Sequence, residues 1–268
     1  MQFLGGGSYK LNTTSATASS TPVYLADGSQ VTYASGAYGF NAGDTTTVEY
    51  LIVAGGGGAS RGINGIHYGA GAGGGEVLTG NLGLTEGVDY SIVVGAGGGS
   101  PLTTGTATTA DASSNYNGRD GGSSSIAGSG VTSLTANGLG SQFNTNVGSA
   151  SGNDNLGAAG TAPTGSGGGG GAGGNASGVT GGAGVASSIT GSSVTYGGGG
   201  CGRTSSISCT ATPTANTGRG AADSNTTVVP AGASGIVVIK VTGARTPTSL
   251  TLTTGTAAVN FIQNVDDL

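Results

Sequence analysis

One histidine, His67, and two cysteines, Cys201 and Cys209, are the chain's main stock of side chains for nucleophilic, acid–base or metal chemistry. A Ser-His-Asp arrangement or a histidine-based zinc site needs partners that a single histidine cannot supply. No metal and no cofactor is expected. The cysteines are eight apart in one insertion, 201–217, and could pair in an oxidising medium. Free thiols are the expectation for a chain made in the cytosol. Asp111, Asp120 and Asp154 could in principle serve as the paired carboxylates of glycoside hydrolysis, but nothing in the sequence brackets them. Gly69-Ala70-Gly71-Ala72-Gly73-Gly74 fits G-x-G-x-x-G, yet no strand leads directly into it and no amphipathic helix follows. The chain is therefore read as not an enzyme.

Binding by loops is the chemistry that remains. Non-glycine insertions at 59–68, 100–117, 141–156 and 201–217 separate the glycine runs. The first gathers Arg61, His67 and Tyr68. The second carries Tyr116, with Arg119 just beyond it. These five are the candidate receptor contacts, aromatic and cationic groups suited to a surface glycan. A rigid scaffold that presents variable loops is a common basis for recognition.

The scaffold is legible in three strands. Val48, Tyr50 and Ile52 alternate with Glu49, Leu51 and Val53, so both faces turn apolar by mid-strand and burial is expected. This run passes straight into Gly55-Gly56-Gly57-Gly58. The pattern recurs at 88–94, followed by Gly95-Ala96-Gly97-Gly98-Gly99, and a third strand is read at 236–241. Sixty-one glycines and only six prolines, without a Gly-X-Y period, exclude a collagen helix. Ordering each glycine costs roughly 0.5–1 kcal/mol more than ordering alanine. The few large apolar side chains cannot offset this alone, so glycine backbones must bond to one another. A glycine chain with three residues per turn points its N–H and C=O groups in three directions, and such helices can pack side by side. The runs 55–58, 71–75, 95–99 and 165–174 are the candidates. The fold class is all-β with packed polyglycine II-type helices, small β-hairpin flanks and essentially no α-helix.

Three parts are expected: an N-terminal arm and hairpin cap for attachment (1–45), the glycine-rich domain (46–242) and a separate C-terminal hairpin (243–268). Asp27-Gly28 predicts the first hairpin, between strands at 22–24 and 30–33. An internal repeat, 124–132 and 187–195, predicts two more, each turning on a Gly-Ser pair of II′ type. The tail hairpin joins 249–253 to 257–262 around Thr254-Gly255. Seven scattered basic residues against twelve acidic ones argue against nucleic acid. No apolar run is long enough for a transmembrane helix, so no membrane insertion is expected, and the N-terminus lacks the regions of a secretory signal.

The stretches 48–58, 188–200 and 233–241 together resemble the glycine-rich domain of bacteriophage virion proteins, over roughly 46–242. That resemblance implies a viral structural protein located in the virion and made in the host cytoplasm. In related tail-fibre-tip adhesins, glycine helices pack as a sandwich and the loops between them perform host recognition. The implied partners are other virion proteins and a host cell-surface receptor, with assembly as a homo-oligomer. A tail fibre (tail fiber) or adhesin component is the first expectation, and a capsid decoration protein or head fibre the alternative.

Overall fold

The computed structural model describes residues 2–4, 7–12, 23–24, 30–31, 45–60, 69–85, 89–99, 118–139, 147–159, 165–204, 212–223, 230–241, 251–253 and 259–260. The strands in chain order are β1 (Gln2–Leu4), β2 (Gly7–Asn12), β3 (Val23–Tyr24), β4 (Gln30–Val31), β5 (Thr45–Val53), β6 (Val77–Thr85) and β7 (Asp89–Val94). They continue with β8 (Ser124–Gly128), β9 (Val131–Ala136), β10 (Val185–Ser187), β11 (Val194–Tyr196), β12 (Ile236–Val241), β13 (Thr251–Thr253) and β14 (Val259–Asn260). No α-helix occurs among the described residues, and the fold is all-β.

Two five-stranded antiparallel sheets, β14-β1-β12-β5-β6 and β13-β2-β7-β8-β9, pack face to face. The strand alternation read from the sequence decides the layers. Val48, Tyr50 and Ile52 of β5 face the other sheet and meet Tyr90, Ile92, Val94 and Ile126. Leu51 and Val53, on the opposite face, join Ile236 and Val238 of β12 against Ile189 and Tyr196 of the β10–β11 region. Both faces of β5 are thus buried, as its pattern requires. Burial also pushes the Tyr196 phenol above its ordinary pKa of 10.0, and a side-chain hydrogen bond with Thr190 opposes the shift.

The sequence reading misses β6, whose Gly80, Asn81 and Gly83 read as breakers. Tyr50 stands directly opposite Gly80, and its ring lies across the place that a Gly80 side chain would fill. An aromatic laid over a cross-strand glycine supplies the packing that the glycine lacks. Asn153 finishes the strand end: its Oδ1 accepts from the Val77 amide (2.9 Å) and its Nδ2 donates to the Val77 carbonyl (3.3 Å), as a neighbouring backbone would.

The hairpins follow the sequence in part. β3 and β4 pair antiparallel, as Asp27-Gly28 predicts. β8 and β9 also form a hairpin, but the left-handed glycine is Gly130 (φ 80°), so the turn centres on Ser129-Gly130 and the expected II′ turn is not formed. In the second copy of the repeat, pairing shifts outward to β10 and β11, and the loop between them carries the left-handed Gly191 (φ 92°). The shift lets Ile189 turn inward beneath β5 and β12. The terminal strands correct the sequence reading as well. β1 lies between β12 and β14, and β2 between β7 and β13, so these stretches are built into the main sheets. β13 and β14 do not pair with each other as a tail hairpin; each is an edge of a different sheet. Short terminal segments carry too little side-chain pattern for a sequence to fix their partners.

Five strands of the two sheets join glycine-bearing segments. β5 continues into 54–60, β7 into 95–99, and 69–76, 118–123 and 230–235 lead into β6, β8 and β12. Their amides seek partners with a period of three. Gly55 and Gly58 donate to Gly122 and Arg119 (both 2.9 Å), Gly56 to Ala233 (2.9 Å) and Gly57 to Gly73 (3.0 Å). Gly71 and Gly74 donate to Gly167 (3.1 Å) and Gly170 (2.9 Å), while Ala72 and Gly75 donate to Ala221 (2.9 Å) and Gly218 (2.8 Å). A helix of three residues per turn gives this alternation, and the segments form the polyglycine II-type bundle read from the runs. Where a carbonyl is missing, a serine hydroxyl stands in: Ser149 Oγ accepts from the Gly73 amide (3.0 Å) and Ser124 Oγ from the Gly95 amide (2.9 Å). The axes are so close that a Cβ on Gly55, Gly56, Gly58, Gly71, Gly73, Gly74 or Gly75 would come within 3.0 Å of a neighbouring backbone. Only methyls fit in the remaining gaps, and Ala59, Ala72 and Ala221 meet there fully buried.

Candidate functional site

Strands occupy one end of the glycine bundle, and the segments reverse at the other. Four insertions leave and return at that far end. The Ser60 and Ala70 backbones are joined (3.4 Å), with Ser60 Oγ accepting from the Ala70 amide (2.8 Å), so 61–68 departs and returns at one place. The Arg119 amide donates to the Gly99 carbonyl (3.2 Å), which brackets 100–117 in the same way. The Ala158 amide donates to the Gly168 carbonyl (2.9 Å), which brackets 160–164, and Ser149 to Gly71 and Gly71 to Gly167 set it level with 69–71. The described part of the expected insertion 141–156 is instead bonded into the bundle, with Gly148 donating to Ala158 (2.9 Å) and Gly152 to Gly74 (3.1 Å). Asp223 beside Cys201 and Gly232 beside Gly98 bracket 224–229 (both 2.9 Å).

Of the sequence-derived contacts, Arg119 is described. It is exposed, its carbonyl accepts from Gly58, and its Cδ lies 3.7 Å from the Cβ position of Gly99, so the side chain crosses the end of that glycine helix. Arg61, His67, Tyr68 and Tyr116 lie outside the described residues. The ends of the two insertions that carry them are brought side by side by the Gly58–Arg119 bond. The Gly69–Gly74 string is held by the chain's own backbone on several sides, which leaves no cradle for a dinucleotide phosphate there.

The floor of this end is a polar network that the sequence reading did not single out. The carboxylate of Asp223, with its side chain 2% exposed, pairs with the Arg203 Nε at 3.3 Å. The Arg203 amide donates to Ser166 Oγ (2.9 Å), and the Ser166 amide returns a bond to the Arg203 carbonyl (2.7 Å). A buried ion pair held by further hydrogen bonds fixes geometry, because loss of either partner strands a charge. The sequence carries a signal for one partner: Arg203 is the first charge after the run Gly197-Gly198-Gly199-Gly200. Next to it, Cys201 is disulfide-bonded, which corrects the free-thiol expectation. The chain's other cysteine, Cys209, lies outside the described residues. Among the described residues, no group of three or more His, Cys, Asp or Glu comes together as a metal site.

The fold is an antiparallel sandwich whose strands continue into hydrogen-bonded glycine helices, and the described ends of the insertions lie at the far end of that bundle. The glycine-rich domain family model matches residues 32–242, and the chain belongs to that family. None of the curated proteins searched matches the chain.

Proposed function

We propose that the protein is a non-enzymatic structural component of a bacteriophage virion, of tail-fibre or adhesin type. In this reading the insertions between its glycine runs recognise the host surface. The observation that carries it is the common origin of 61–68, 100–117, 160–164 and 224–229 at one end of a bundle with little freedom to deform. Their bases are pinned by backbone bonds, so the cost of ordering a binding surface falls mostly on the scaffold before any ligand arrives. Arg61, His67, Tyr68, Tyr116 and Arg119 are the proposed contacts, with the aromatic rings stacking on sugar faces and the cations meeting polar or acidic substituents. Identical chains are proposed to associate with one another and with other virion proteins.

The test is adsorption of fluorescent recombinant protein to a panel of bacterial isolates, with immunogold labelling of virions. Saturable binding to at least one isolate, lost in a Tyr68→Ala/Tyr116→Ala protein of unchanged melting temperature, supports host recognition. If no isolate binds and gold lies over heads instead of tails, the protein is a capsid decoration protein or head fibre.

A further inference from the structure

We propose that Arg219, together with the backbone amides of Gly184 and Gly198, forms a binding site for a small oxyanion on the flank of the glycine bundle. Among the described residues, Arg219 Nε is the buried side-chain nitrogen or oxygen that finds no hydrogen-bond partner. A guanidinium stays charged at any physiological pH, and a buried N–H without an acceptor is costly. Of the other cations whose side chains are described, Arg203 pairs with Asp223, Lys240 lies 3.9 Å from Glu49, and Arg119 is exposed to solvent.

The backbone holds Arg219 firmly. Its carbonyl accepts from the Ala233 amide (2.8 Å), and the flanking Gly218 and Gly220 donate to Ser234 and Gly198 (both 2.9 Å). From there the side chain runs over Gly198, two residues after β11. The point where a Gly198 Cβ would sit has two neighbours within 4 Å: Arg219 Cγ and the Gly184 amide nitrogen, each at 3.9 Å. The Gly182, Gly197, Gly199 and Gly200 amides all donate to backbone carbonyls, whereas among the described residues no backbone acceptor is found for those of Gly184 and Gly198. The stem of Arg219 and the Gly184 amide thus meet over Gly198, and among the described residues no carboxylate lies within 4 Å of that point. Planar guanidinium edges and adjacent free amides suit a carboxylate or a phosphate-type group, which accepts several hydrogen bonds at once.

This site is away from the loop end and does not rest on host recognition. The test is NMR titration of the isolated protein, following the amides of Gly184 and Gly198 and the Arg219 Nε–H. Inorganic phosphate and glucuronate are added in separate arms, with sodium chloride at matched ionic strength as control. Saturable shifts of all three resonances with either anion are expected, and the arm that saturates at lower concentration assigns the chemistry. Arg219→Gln should weaken binding at least about tenfold, and Arg219→Lys, which keeps the charge and loses the planar fork, should fall between. No saturable shift through about 50 mM of either anion overturns the proposal. So do equal shifts in Arg219→Gln, or a bound-water contact at the Nε–H that persists as anion is added. If Arg219→Gln fails to fold, the wild-type titration and the lysine variant decide.

Discussion

Replacing Gly73 by alanine tests the whole packing scheme with one methyl group. A Cβ there would strike the carbonyl oxygen of Ala150 and come within 2.8 Å of the Ala150 carbonyl carbon and 3.3 Å of Ser151 Cα. Every clashing atom is backbone, so no rotamer change relieves it. The 147–152 segment must move off, and three bonds tie it to the 71–74 segment. These are Gly73 amide to Ser149 Oγ (3.0 Å), Ser149 amide to Gly71 carbonyl (3.4 Å) and Gly152 amide to Gly74 carbonyl (3.1 Å). A shift of about 1 Å takes all three out of hydrogen-bond range. At about 0.5–1.5 kcal/mol each, with more for groups left buried and unpaired, the loss is about 3–5 kcal/mol. For a chain of this size that lowers the melting temperature by roughly 6–20 °C, read by far-ultraviolet circular dichroism or calorimetry. Gly174→Ala is the internal control. Nothing lies within 4 Å of its Cβ position and its φ is not left-handed, so alanine should be neutral or stabilise by about 0.4–1 kcal/mol. A Gly73→Ala protein that melts within about 2 °C of wild type would refute the close-packed backbone. An equal loss in both variants would do the same.

Three further outcomes follow from particular contacts. Arg203→Ala removes the partner of a nearly buried carboxylate, and about 3 kcal/mol should be lost in urea unfolding; a loss under about 1 kcal/mol would mean that Asp223 does not depend on the pair. Asn153→Ala takes both side-chain bonds from the start of β6, at a cost of about 1–2 kcal/mol, and faster amide exchange at Val77 should report it. The pH dependence has a definite sign. Burial raises the folded-state pKa of Tyr196, so the unfolded chain releases this proton first, near pH 10, while the folded chain retains it. The stability linked to it is fully present below about pH 10 and is lost as pH rises from there through the folded-state pKa. Tyr196→Phe should therefore flatten the fall in unfolding free energy above about pH 10, and parallel wild-type and variant curves would count against burial as the cause.

Side-chain alternation and glycine's missing Cβ were enough, read from the sequence alone, to predict much of the framework. The face assignment of Val48, Tyr50 and Ile52 against Leu51 and Val53 held because a period of two has one solution once both faces are apolar. The threefold bonding of 55–58 and 71–75 held because a chain without side chains must satisfy its amides through neighbouring backbone. Partner choice was not legible in this way. Glycine segments carry no side-chain pattern, so nothing in Gly71 or Gly74 announces Gly167 and Gly170 as acceptors. The same holds for Gly80, a breaker in sequence and the seat of the Tyr50 ring in space. Tertiary structure decided which helices lie together and which sheets the terminal strands join. It also set the pairing of Arg203 with Asp223 and brought the described ends of the insertions to one end of the bundle. Those features depend on backbone positions far apart in the chain, which local residue preferences do not encode.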